Sequence, residues 1–283
     1  MGYKTILTVV TQGGNMAHLD AAVALARRED AHLDVFCLGV DHTQTGYYFA
    51  GASAYVFQES IDRAMAGAEA LETAVRARLS AEDIRWSVES AVAQMGGVSA
   101  LIGMRARFAD LAVLPRPYGK DAATDAEAVV EAALFEGGIP VIVLPTTDID
   151  AETAAQTVGR RILVAWNQSD EALAAVRKAL PMLKAADHVE ITVIDPSPHS
   201  PERSDPGGAL CQMLTRHGVK ADIAVLAKTM PTVSEVLNRR ATETQADLIV
   251  MGAYGKSRFR EAILGGATRH MLERAVVPVL LAR

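Results

Sequence analysis

The sequence predicts an α/β protein built from two tandem, doubly wound parallel-sheet domains. Three observations carry that expectation. Half of the 283 residues are apolar but only 5% are aromatic, a balance that suits helices packed on a parallel sheet better than a β-sandwich. The chain is written twice. Within each copy, short apolar runs alternate with longer amphipathic stretches.

The repeat shows in three pairs of segments that keep their order. KTILTVV near Lys4 is matched by RRILVAW near Arg161, ADLAVLP at Ala109 by ADLIVMG at Ala246, and IPVIVLP at Ile139 by VPVLLAR at Val277. The offset is 156 residues for the first pair and about 137 for the others, so the first copy carries roughly 19 additional residues. These are expected in the Tyr-rich segment DHTQTGYYFAGASAYVF, residues 41–57, which lacks clean periodicity. It reads either as a lid or partner surface or as an excursion covering its own domain. The Thr/Asp-rich stretch TTDIDAETAAQTVG reads as a linker. The expected organisation is a domain at 1–146, a linker at 147–159 and a domain at 160–283.

In the first copy, strands are expected at Thr5–Val10, Leu33–Val40, Arg85–Ser90, Leu111–Leu114 and Val141–Leu144. In the second they are expected at Arg161–Trp166, Val189–Ile194, Ala221–Leu226, Leu248–Met251 and Val279–Ala282. Runs such as DLIVMG show no polar alternation, the mark of strands buried on both faces. Among the helices, SDEALAAVRKAL opens with Ser169 as N-cap and acidic residues in its first turn. Leu173, Val176 and Leu180 there form one apolar stripe. Pro181 should kink or end that helix. TDAEAVVEAALFEGGIP opens with a Thr124-x-x-Glu127 capping box and closes with Gly137 and Pro140.

Charge and cysteine usage narrow the function. The net charge of −6 comes with no basic block, which argues against nucleic-acid binding through phosphates. No apolar run is long enough to span a bilayer and the N-terminus has no signal-peptide core. Cys37 and Cys211 form no C-x-x-C, so a reduced, cytoplasmic setting is expected. Cys37 falls in a buried strand as an inert thiol, and nothing beside Cys211 marks it as reactive. His188, His199 and His217 lack metal-ligand spacing, and neither G-x-S-x-G nor H-E-x-x-H occurs. Asp195 ends a strand and is expected to cap the turn after it rather than serve as a base.

One stretch stands apart: MGAYGKSRFREAILGGATRHML, Met251–Leu272. Gly255-Lys256-Ser257 imitates the tail of a P-loop, but the required earlier glycine is Val250. A different device is indicated. The stretch begins where a buried strand ends, the place where open parallel sheets bind ligands. Gly252, Gly255, Gly265 and Gly266 bracket a loop whose backbone a ligand can approach closely. Thr268 is placed to cap the following helix, whose positive end favours phosphate. Lys256, Arg258 and Arg260 add positive charge. The competing reading is a glycine-rich βα connection without a ligand.

Met251-Gly252-x2-Gly255-x9-Gly265 resembles the nucleotide loop of universal stress proteins, G-x2-G-x9-G-[ST]. ILVAWNQSDEA, ADLIVMG and the closing PVLLA resemble that family too, and the likeness extends over both copies. The resemblance implies an adenine-nucleotide-hydrolase-like or flavodoxin-like fold in each domain. It also implies an intrachain pseudo-dimer in which Val141–Leu144 pairs with Val279–Ala282. It implies a site for ATP or a related adenine nucleotide at Asn167, Val193, Met251, Gly252, Gly255, Gly265, Gly266, Ala267 and Thr268. Met251 would lie near ribose and base, and the backbone of Val193 would meet adenine.

Two positions depart from the family pattern: Asn167 stands for the usual Asp, and Gly266 for the usual Ser or Thr. Copy one departs further, with Pro115 and Tyr118 where glycines belong, and is expected not to bind. The implied role is stress-response regulation through protein partners, with Mg able to neutralise the phosphates and a further homodimer left open. No residue stands out as a base, so at most slow ATP hydrolysis is expected, and no motif supports adenylyl transfer. The alternative is an interaction protein that binds no nucleotide and whose loop is structural.

Overall fold

The structure, a computed structural model, describes residues 2–14, 16–42, 54–120, 122–145, 158–197, 204–253 and 266–283. The chain divides into two compact units, Tyr3–Ile139 and one containing Pro140–Arg283. All ten expected strands are present, most within a residue or two of the expected bounds.

The earlier unit holds β1 (Thr5–Thr11), β2 (His32–Asp41), β3 (Arg85–Gln94) and β4 (Leu111–Pro115) in the order β3-β2-β1-β4. Its described pairs are parallel. The helices are α1 (Ala17–Glu29), α2 (Ala54–Leu79), α3 (Val98–Ala106) and α4 (Ala126–Phe135). β1 has five consecutive buried residues, as its unbroken apolar run predicts for a strand covered on both faces. Tyr47 and Tyr48 lie outside the described residues and Tyr55 lies in the first turn of α2. Part of the extra length of this copy is helix, since α2 runs 26 residues.

The capping box expected at Thr124 and Glu127 is not formed. α4 begins at Ala126 with Asp125 in the cap position and no side-chain cap bond. The motif is one residue out of phase with the helix start, and Glu127 instead accepts from the Tyr118 hydroxyl at 2.7 Å.

The later unit holds β5 (Val141–Leu144), β6 (Arg161–Trp166), β7 (His188–Ile194), β8 (Ala221–Leu226), β9 (Leu248–Gly252) and β10 (Val279–Ala282), ordered β5-β10-β9-β6-β7-β8. β5 and β10 pair antiparallel, Val143 opposite Val279 and Val141 opposite Leu281. This is the pairing expected of the two closing strands. The other described pairs are parallel. The helices are α5 (Asp170–Lys178), α6 (Leu180–Ala185), α7 (Gly208–Arg216), α8 (Val233–Thr244) and α9 (Ala267–Arg274). Ser169 caps α5 as expected, its Oγ accepting from Ala172 N at 3.1 Å. Pro181 ends α5 as expected and opens the short α6.

The apolar stripe of α5 lies elsewhere than expected. Ala172, Ala175 and Val176 are buried, whereas Leu173 and Leu180 are only part-covered. Small residues face the sheet because the helix lies close to β9, and Leu173 is turned to a surface cleft.

Candidate functional site

In the later unit the chain runs β6-β7-β8 outward on one side and then returns to β9 on the other side of β6. The β6/β9 boundary is therefore the switch point, where backbone loops diverge and open a crevice beyond the strand ends. A cleft of about 190 Å³ lies there, lined by Ala165, Trp166, Asn167, Thr192, Ile194, Val233, Leu237, Met251, Gly252 and Ala267.

Four residues expected in the site meet at this cleft: Asn167, Met251, Gly252 and Ala267. Asn167 is exposed just after β6, and its Oδ1 accepts from Ser169 N at 3.1 Å, a local turn of the kind Asn favours. Met251 is buried at the end of β9. Gly252 ends the same strand, where a β-carbon would fall 2.5 Å from Ala172 N in the first turn of α5. The glycine is thus required by helix–strand contact whether or not a ligand is present.

Gly266 takes the N-cap position of α9 in extended backbone, with φ −61 and ψ 160. The first amide shown donating back into the helix is that of His270, to Gly266 O. Ala267, the first residue of the helix, lines the cleft, so the positive end of the helix lies beside it. The expected capping by Thr268 does not occur. The helix begins one residue earlier, at Ala267, so Thr268 lies inside the first turn, 5% exposed, and no side-chain cap bond is made. Gly255 and Gly265, with Lys256, Arg258 and Arg260, lie outside the described residues.

Val193, whose expected part was through its backbone, does not line the cleft with its side chain. Its side chain faces the side of the sheet toward Gly207, with Ile191 and Ile223, and it is 3% exposed. Its neighbours Thr192 and Ile194 line the cleft instead, as strand alternation requires. Together with Ala165, Val233 and Leu237, they are the lining residues that the sequence reading missed. Alternation around Val193 could have signalled the first two. Val233 and Leu237, four apart on α8, carried no such signal.

Beneath the cleft lies a buried charge pair. Glu190, 6% exposed, receives both Nε and Nη2 of Arg240 at 2.9 and 2.6 Å and the hydroxyl of Thr192 at 2.9 Å. Burial raises the Glu190 carboxyl pKa, but the Arg240 and Thr192 hydrogen bonds and the guanidinium charge outweigh it and hold the group below its ordinary value. The pair ties β7 to α8 and holds Thr192 in place at the cleft. Asp195, with φ 44, accepts from Lys228 N at 3.0 Å, so its carboxylate reaches across to the chain that follows β8 and not, as expected, into the turn after it. No cluster able to hold a metal ion occurs among the described residues, and no described helix is long and apolar enough to cross a membrane.

Known proteins resemble both the sequence and the fold. The model of the universal stress protein family matches residues 159–283. No curated protein matches the chain. Among solved structures, a universal stress protein from Archaeoglobus fulgidus shares 16% identity at a TM-score of 0.71, covering 98% of each chain. A putative universal stress protein from Pseudomonas aeruginosa shares 15% at 0.60, covering 99% of this chain and 93% of its own. A functionally unknown protein from the same species shares 14% at 0.57, covering 99% and 92%. At these identities the likeness speaks for the fold, and it runs over both copies. Residues 159–283 thus match the universal stress protein family model, within a tandem α/β architecture like that of these solved structures.

Proposed function

We propose that the later domain binds ATP or a related adenine nucleotide, with the base in the cleft and the phosphates at the start of α9. The supporting observation is the convergence of Met251, Gly252 and Ala267 on one cleft at the switch point, with a helix N-terminus aimed at it. An apolar floor of Ala165, Ile194, Val233 and Leu237 suits a purine. The positive helix end suits a polyphosphate. Binding would bias a conformation read by protein partners, giving a stress-response regulator rather than a catalyst. Mg would serve to neutralise the phosphates.

A second reading, an interaction protein without nucleotide, draws on one specific observation. Gly252 and Asn167 both have structural duties, in helix packing and in a turn, that need no ligand.

The deciding variant is Ala267→Glu. Position 267 is exposed in the first turn of α9, where a carboxylate favours the helix but opposes a phosphate. Calorimetric titration should show ATP binding to the wild type. In the variant, ATP binding should be lost while adenosine binding and folding persist. Absence of heat from the wild type, with no nucleotide retained through purification, would favour the second reading.

A further inference from the structure

We propose a second ligand site in the later unit, on the α5/α7 side of the sheet, that shares only Trp166 with the lining of the cleft above and takes a small planar aromatic carboxylate. It does not depend on the nucleotide reading. The site is a cleft of about 320 Å³ between α5 and α7, lined by Trp166, Gln168, Ser169, Asp170, Leu173, Arg177, Ala209, Leu210 and Met213.

Trp166 stands opposite Val193 in the β6/β7 register, and adjacent strands in register share a face. Its indole therefore lies on the α7 side. Leu173 forms one wall, and Leu210 with Met213 the other. The volume lies at the lower end of ligand pockets, roughly 300–1,000 Å³, enough for a fused two-ring compound. An indole face and a thioether are favourable neighbours for an aromatic ring.

The charge pattern selects the acid. Arg177 lines the cleft, and among the described residues it has no ion-pair partner. Its planar fork matches a carboxylate. Asp170 lies seven residues earlier on the same helix, roughly 10 Å along its axis. The cleft is therefore polarised: an acid is accepted at the Arg177 end and opposed at the other. A monoacid with an apolar body fits this pattern, whereas a compound with acids at both ends would meet Asp170.

The test uses the full chain, isotopically labelled, and follows the Trp166 indole N–H by NMR. The signal is assigned with a Trp86→Phe variant. The probes are 2-naphthoate and its uncharged counterpart 2-naphthamide. The expected result is a saturable shift with 2-naphthoate and at least tenfold weaker binding of the amide. Arg177→Gln should bring 2-naphthoate down to the level of the amide. Ala209→Trp, which fills the mouth, should abolish both, and Ala267→Glu should change neither. The proposal is overturned by equal binding of acid and amide, by an Arg177→Gln variant that binds 2-naphthoate as the wild type does, by loss in Ala267→Glu, or by no saturable shift in the wild type.

Discussion

Gly252 and Ala172 are in contact through their backbones: a β-carbon added to Gly252 would lie 2.5 Å from Ala172 N, and 2.7 Å from the neighbouring carbonyl carbon of Glu171. Both are main-chain atoms of the capped first turn of α5, which cannot swing aside as a side chain can. Gly252→Ala should therefore destabilise the later unit by about 1–3 kcal/mol, the usual range for overpacking, measured by denaturant unfolding. Loss of nucleotide binding in that variant would report disturbed packing and not a lost ligand contact. An unchanged unfolding midpoint would show that α5 moves away freely.

Glu190 and Arg240 form a two-pronged pair at 2.6 and 2.9 Å, with Glu190 nearly buried and Arg240 part-exposed. Breaking a fully buried pair typically costs about 3–5 kcal/mol. Arg240 keeps some solvent and a second carboxylate, Glu243, at 3.5 Å. Glu190→Gln should therefore cost less, about 2 kcal/mol. The folded carboxyl pKa lies below its ordinary value of 4.5, so the stabilisation is present above that value and is lost as pH falls through the folded pKa. The gap between wild type and variant should be constant from pH 8 to 6 and close only in strong acid. Thermal unfolding at several pH values would show it, and a gap that closes near neutrality would contradict the assignment.

Much of this architecture was legible because buried parallel strands are written as unbroken apolar runs, and DLIVMG or RILVAW leaves little choice of element. Ser169 and Pro181 were legible for a local reason, each acting through its own backbone geometry. Cap phase was not legible at Thr124 or Thr268. Both sit near a helix start, but the residue at which the chain turns into the helix is set by packing elsewhere. A cleft at the end of β9 was legible because the glycine loop follows a buried strand, and Met251, Gly252 and Ala267 because that loop resembles the family's. Its walls were not, since Thr192 and Val233 come from elements some 40 residues apart that only the folded sheet brings together. The packing role of Gly252 was hidden for the same reason: its partner, Ala172, lies 80 residues earlier.

The two cysteines should separate cleanly in reactivity. Cys37 is fully buried in β2, and its thiol pKa is pushed up to about 12 by burial first, with the Glu72 charge adding to it. The thiolate is the reactive form, so Cys37 should be silent at pH 8. Cys211 is part-exposed on α7, its Sγ directed at Ala221 O at 3.4 Å. A disulfide dye should titrate one thiol in the native chain and two after denaturation. A Cys211→Ser variant should titrate none until it unfolds. Native labelling of Cys37 in that variant would mean that β2 opens.

Asp125 combines burial with an incomplete set of partners. Its Oδ1 has no hydrogen-bond partner, and its Oδ2 lies 3.6 Å from His42 Nε2. Burial raises its pKa above the ordinary 3.8, and the nearby His42 pulls only partly against it. The folded chain therefore holds a proton that the unfolded chain has released, and stability falls as pH rises through the window above 3.8. At higher pH the ionised carboxylate carries its desolvation cost, which the nearby His42 offsets only in part. Asp125→Asn keeps the shape and removes the charge. It should stabilise the chain by about 1–2 kcal/mol at pH 8, the scale of one unsatisfied buried polar group. The gain should shrink as pH falls through the raised folded value and vanish well below the ordinary 3.8, at about pH 2.5, where the wild-type carboxyl is protonated in both states. Thermal unfolding across that pH range measures the change. A variant less stable than wild type at pH 8 would show that the ionised carboxylate is held by a favourable charge, and that burial does not dominate its energetics.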